Sequence, residues 1–174
     1  QGARGVNRMV ACALPRLTEH LGDAQWLHLC GTQDLTDVKK AYDKTNFHAV
    51  VHDFFDDMPS ALGAADLAIC RSGASSLAEL AAAKVPAILV PLPTAANDHQ
   101  RVNALAAVKN GGAIMFEETG TKSAAFAEEV VGLISDKEKL MQMSNAMKLL
   151  DRPEAAKFIA TRILKACEKG AIDS

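Results

Sequence analysis

Asp66–Ala104 reads DLAICRSGASSLAELAAAKVPAILVPLPTAANDHQRVNA, and it holds two β-α units in succession. Asp66–Cys70 is a short apolar run that ends at Arg71-Ser72-Gly73, and an alanine-rich helical segment, Ala74–Lys84, follows. Pro86–Pro91, with Ala-Ile-Leu-Val inside it, is apolar throughout. A polar loop then leads to a second helical segment, Asp98–Asn110, closed by Gly111-Gly112. Strands that are apolar at every position, rather than alternating, are buried on both faces, as in a parallel sheet clad by helices.

The same alternation extends to both sides. A helix is expected over about Gly2–Leu21, where Val6, Met9, Val10, Ala13, Leu14 and Leu17 recur at helical spacing. A strand over Ala24–Cys30 and a helix over Asp34–Lys44 come next. Phe47–Phe55 reads as a strand centred on Val50 and Val51, and Asp56–Ala65 as a short helix whose acidic start suits the helix dipole. After Gly111-Gly112 a last strand, Ala113–Phe116, precedes a helical pattern that runs from Lys122 with breaks near Asp136 and at Pro153. The sum is a single Rossmann-like α/β domain over residues 1–174, with a parallel sheet, helices on both faces and residues 122–174 as helical cladding. A doubly wound sheet opens on a strand that feeds its first helix through a Gly-rich turn. Here Gln1-Gly2-Ala3 leads straight into a helix, so the first strand is expected upstream, in a longer protein.

Composition narrows the function. The chain has 174 residues, 49% hydrophobic and 23% charged, which excludes a disordered segment. A net charge of −2 argues against a dedicated nucleic-acid binder, whose footprint is basic. No apolar run approaches the ~18 residues of a membrane span, and the N-terminus has no signal-peptide pattern. Cys12, Cys30, Cys70 and Cys167 form no CxxC pair; they read as reduced thiols, consistent with a cytoplasmic setting.

Polar clusters follow the apolar runs. In open α/β sheets ligands bind beyond the C-terminal ends of the strands. Gly73 lets backbone N–H groups approach a ligand at a helix start, a place that favours an anion such as a diphosphate. Ser72, Ser75 and Ser76 can add hydroxyl donors. Arg71 can supply a charge there or hold a neighbouring carboxylate. Glu79 lies about a turn and a half into that helix, where a carboxylate can accept two hydrogen bonds from a ribose diol. Gln100 both donates and accepts and so suits sugar hydroxyls; otherwise it belongs to a helix-cap cluster with Asn97 or Asp98 as cap.

Taken together, the small-Gly turn before Glu79, the Val85-Pro86 strand start and His99-Gln100 ahead of Asn103-Ala104 resemble the donor site of nucleotide-sugar glycosyltransferases of the GT-B fold. Within that fold the chain resembles the MurG family over nearly its whole length, Gln1 to about Lys169. The likeness is carried by Gln1-Gly2-Ala3, Phe54-Phe55-Asp56-Asp57-Met58, Cys70-Arg71-Ser72-Gly73-Ala74, Glu79, Pro86, Pro91 and Asp98-His99-Gln100. The resemblance implies transfer of N-acetylglucosamine from UDP-N-acetylglucosamine to lipid I, giving lipid II for peptidoglycan. This chain would be the C-terminal donor domain of a peripheral enzyme on the cytoplasmic membrane face. The backbone at Phe55 would read the uracil edge, walled by Phe54 and Phe55. Ala74, Ser75, Ser76, Leu77, Ala78 and Glu79, after Arg71-Ser72-Gly73, would carry the phosphate and ribose contacts. Gln100, with His99, would bind the sugar. No cofactor or metal is implied. The acceptor site, general base and membrane patch would lie in an N-terminal domain outside this chain, which therefore holds no catalytic residue of its own.

The remaining residues have plainer readings. His20, His28, His48 and His52 are structural or surface histidines, with His28 and His52 near strand ends. Trp26 and Met141, Met143 and Met147 read as packing residues, and Glu128-Glu129 and Lys137-Glu138-Lys139 as solvated helix faces. Two other functions fit the same motifs: a GT-B enzyme of the glycolipid type using another UDP-sugar, and a donor-binding subunit that needs a separate acceptor partner.

Overall fold

The computed structural model describes residues 3–95 and 98–170. Helices and strands alternate: α1 (Arg4–His20), β1 (Trp26–Leu29), α2 (Leu35–Tyr42), β2 (Ala49–His52), α3 (Met58–Gly63), β3 (Ala68–Cys70), α4 (Ala74–Ala83), β4 (Ala87–Leu89), α5 (His99–Lys109), β5 (Ala113–Met115), α6 (Ser123–Ser135), α7 (Lys137–Lys148) and α8 (Ala155–Gly170). Among the described residues the strands form two parallel ladders, β1–β2 and β3–β4–β5. Leu27 pairs with Val50 in the first, and Ile69, Ile88 and Ile114 share one level of the second.

The β3–β4–β5 ladder is clad on both faces because successive side chains point to opposite sides. Ile69, Ile88, Val90, Ile114 and Phe116 face the core of α1 and α6, with Leu14, Leu17, Phe126 and Leu133. Ala68, Cys70, Ala87, Leu89 and Met115 face the other way, against Leu80, Ala81, Ala104, Ala107 and Met147. All three residues of β4 are fully buried. In β1–β2 only one face is buried: Trp26 and Val51 pack on the first core, while Leu27 and Val50 are exposed. The expectation of strands buried on both sides fails there.

The observed strands are shorter than the apolar runs. β2 ends at His52 and not at Phe55, because Asp53 turns the chain by accepting Phe54 N–H at 2.9 Å on its carboxylate. Asp57 then caps α3 through Ser60 N–H. The cladding expected over 122–174 divides. Phe126, Val130 and Leu133 of α6 and Met143 and Met147 of α7 are buried, whereas the described side chains of α8 are all exposed, Phe158, Ile159, Ile163 and Leu164 among them. Among the described residues no helix is long and apolar enough to cross a membrane.

Candidate functional site

The C-terminal ends of β3, β4 and β5 meet at one edge. Arg71, leaving β3, donates through one terminal nitrogen to Val90 O at 3.1 Å and Pro91 O at 3.0 Å at the end of β4. Its other terminal nitrogen pairs with Glu118, leaving β5, at 2.5 Å. Of the two roles the sequence left open for Arg71, the structure shows the second: the guanidinium holds a carboxylate and two strand-end carbonyls.

Gly73 caps α4 in extended conformation and supplies no side-chain acceptor. The first helical bond runs from Leu77 N–H to Gly73 O at 3.0 Å, so the N–H groups of Ala74, Ser75 and Ser76 are those left over at the helix start. Leu77, which the sequence reading places among the contacts, has its N–H committed and its side chain packed against the core. Ala78 is an exposed position farther along the helix. Glu79 is also exposed, and it lies close enough to Cys70 that its charge, after burial, helps push that thiol up to about 12.

Ser72 departs from its expected role. Its side chain is fully buried, and its hydroxyl donates to Gln100 O at 2.8 Å, so it points into the fold rather than toward a phosphate. Asn103 donates back to Ser72 O at 3.1 Å. The two turns are thus tied to each other. Gln100 is half-committed as well: its side-chain oxygen accepts Leu92 N–H at 3.0 Å. Its NH2 can donate to a ligand, and its oxygen, which holds one N–H, keeps a second lone pair. His99 is exposed in the first turn of α5, whose N-cap is Asp98 in left-handed conformation with no side-chain cap bond. Gln1, Gly2 and Asn97 lie outside the described residues.

Phe54 is 72% exposed, and Phe55, half-buried, leans on His52 with ring centroids 5.9 Å apart. They sit beyond β2, on the same edge as the exit of β1, where Gly31 N–H bonds Asp53 O. α1 joins this edge to the other. Asn7, buried, donates to Cys30 O at 2.9 Å and to Asp34 at 2.7 Å, and Arg4 pairs with Asp34. On the opposite side of the same turn, Gly5 faces the Glu118 carboxylate. A cleft of about 270 Å³ lies behind Glu118, lined by Arg8, Met9, Cys12, Thr121 and Phe126 among others; none of the expected site residues lines it. No group of residues placed to hold a metal ion occurs among the described residues.

Asn7, Asp34 and Glu118 have no functional role in the sequence reading, and Asn103 enters it only as part of the pattern that follows His99-Gln100. Glu118 had a signal, since it follows a strand end as the other polar residues do. The buried Asn7 occupied an apolar helical face and gave none.

The chain is thus a parallel α/β domain whose polar turns are tied together at the C-terminal ends of β3, β4 and β5, the edge at which open α/β sheets bind their ligands. Residues 1–159 match the family model described as the glycosyltransferase family 28 C-terminal domain, and the chain belongs to that family. It is similar to the UDP-N-acetylglucosamine--N-acetylmuramyl-(pentapeptide) pyrophosphoryl-undecaprenol N-acetylglucosamine transferase of Myxococcus xanthus, at 44% identity over 91% of this chain and 42% of that protein. The transferase of the same name from Acidithiobacillus ferrooxidans is 36% identical over 100% of this chain and 48% of its own length. The chain therefore spans less than half the length of these relatives. Its structure is similar to that of Acinetobacter baumannii MurG, with a TM-score of 0.86 and 29% identity over 95% of this chain and 47% of that one. The glycosyltransferase VinC, in complex with dTDP, shares the fold alone, at a TM-score of 0.66 and 14% identity over 90% of this chain and 38% of its own.

Proposed function

We propose that this chain is the donor-binding part of an enzyme that transfers N-acetylglucosamine from UDP-N-acetylglucosamine to undecaprenyl-diphospho-N-acetylmuramoyl-pentapeptide in peptidoglycan synthesis. The transferase named in the relatives supports the substrates. One observation on this chain carries the reading: the free end of α4, the exposed Glu79 carboxylate and the Gln100 amide are gathered at a single edge by the Ser72–Gln100 tie.

The chemistry follows from that edge. As an acceptor hydroxyl displaces the nucleotide from the sugar, negative charge grows on the diphosphate. Preorganised N–H groups at a helix start stabilise that charge without reorganising. In this reading Ala74, Ser75 and Ser76 supply those groups, Glu79 accepts from the ribose diol, and Gln100 donates to the sugar beside His99. The backbone at Phe55 reads the base. The acceptor site and general base lie in the remainder of the enzyme, which docks peripherally on the cytoplasmic face of the plasma membrane. The exposed apolar side chains of α8 support packing against that remainder.

Calorimetric titration of the complete protein with UDP-N-acetylglucosamine, UDP-glucose and UDP-galactose tests the reading. Preference for the N-acetylglucosamine donor is expected, with formation of the disaccharide lipid from lipid I. Equal affinity for all three, or preference for another sugar, would point to a glycolipid enzyme instead.

A further inference from the structure

Glu118 is the meeting point of four chain segments. Its carboxylate pairs with Arg71 at 2.5 Å. Arg71 in turn spans the carbonyl ends of β4 at Val90 and Pro91. On its other side the carboxylate presses on the first turn of α1: a Cβ added at Gly5 would overlap Glu118 Cδ and both carboxylate oxygens. The pair is shielded, with Arg71 and Glu118 side chains 16% and 28% exposed. Ser72, next to Arg71, is bonded to Gln100, and Arg101, next to Gln100, pairs with Glu117 at 3.0 Å. Adjacent acids after β5 therefore hold Arg71 and Arg101, one beside each of the two turns that the proposed donor site uses.

We propose that Glu118 is a positioning residue for the diphosphate part of that site: by locking Arg71 across the end of β4 and seating the first turn of α1, it sets where the free N–H groups of Ala74, Ser75 and Ser76 point. Glu118 itself touches no ligand. Gly5 belongs to the same device, because any side chain there drives the carboxylate off Arg71. The inference rests on the donor reading above.

The test is titration of UDP and of uridine into the complete protein and into Glu118→Ala, Glu118→Gln and Gly5→Ala. UDP affinity should fall about tenfold or more in Glu118→Ala, the loss of ~1.4 kcal/mol or more in contact geometry. Uridine, which has no phosphate, should change less than about threefold. General loosening of the fold would weaken both ligands alike, and that result overturns the proposal. Glu118→Gln keeps an oxygen for Arg71 and should recover most of the UDP affinity. Gly5→Ala should weaken UDP as Glu118→Ala does, and the double variant should be no worse than either single one; additive losses overturn the coupling. Hydrogen exchange without ligand gives an independent readout, since Glu118→Ala should speed exchange together at residues 72–76 and 4–8. Unchanged exchange at both segments overturns the proposal. Failure of the parent protein to bind UDP at all would instead sink the donor reading, while the exchange result still decides the role of Glu118.

Discussion

His28 should make the stability of this domain fall with acid over a defined pH window. The imidazole is 7% exposed, between Tyr42 OH on Nδ1 and Asn7 Oδ1 on Nε2, each at 3.0 Å. The Asn7 amide nitrogen already donates to Cys30 O and Asp34, so Asn7 Oδ1 must accept. His28 Nε2 therefore carries the hydrogen, and Nδ1 accepts from Tyr42 O–H. This neutral tautomer satisfies both ring nitrogens. A second proton adds a charge that burial disfavours, which lowers the pKa from 6.5 to about 4. In the unfolded chain His28 titrates near 6.5. Between those values the unfolded state binds more protons, so stability rises with pH there. The contribution is complete above pH 6.5, is lost as pH falls toward 4, and falls no further below. The drop from 6.5 to about 4 is worth about 3 kcal/mol at ~1.4 kcal/mol per pH unit. Urea denaturation of the parent and of His28→Gln from pH 7.5 to 4 isolates it, because other groups titrate in both proteins. His28→Gln should be the weaker at pH 7, and the gap should close by about 3 kcal/mol on acidification. Parallel curves, or a gap that widens in acid, would refute the assignment of a buried neutral His28.

Three further outcomes are expected. Glu79→Gln should weaken uridine, UDP and UDP-N-acetylglucosamine alike by about 1.5–3 kcal/mol, the cost of a lost charge-assisted bond; unchanged UDP affinity by calorimetry removes Glu79 from the site. Gln100→Ala should weaken UDP-N-acetylglucosamine by about 1–3 kcal/mol with a much smaller effect on UDP, and His99→Ala should show a lesser version of that asymmetry; equal losses for both ligands assign Gln100 to its tether on Leu92 alone. Gly112→Ala should lower stability by about 1–3 kcal/mol, since a Cβ there would lie 3.0 Å from the Met147 backbone, and an unchanged thermal midpoint would argue against that close approach of β5 and α7.

The alternation of β and α was legible in the sequence because each segment carries its own period. Ile69, Ile88 and Ile114 share a level of one ladder because three short apolar runs each end in a turn signal. The positions of Gly73, Glu79 and Gln100 beyond strand ends followed from the same pattern. The end of β2 did not, since Phe54 and Phe55 extend the apolar run while the Asp53 carboxylate turns the chain. The one-sided burial of β1–β2 was also hidden: Leu27 and Val50 are as apolar as Ile88, and only the placement of the helices separates them.

Sequence by itself therefore determined the order of elements, the parallel class of the sheet and the edge on which polar chemistry collects, because these depend on local periodicity and on the direction of the chain. Tertiary structure alone decided what each polar side chain does at that edge. Ser72 turns inward to Gln100, Arg71 clamps β4 to Glu118, and Gln100 gives its oxygen to Leu92. These partners lie 8 to 47 residues apart. A hydrogen bond is fixed by direction and by tenths of an ångström between such distant groups, which no local pattern encodes.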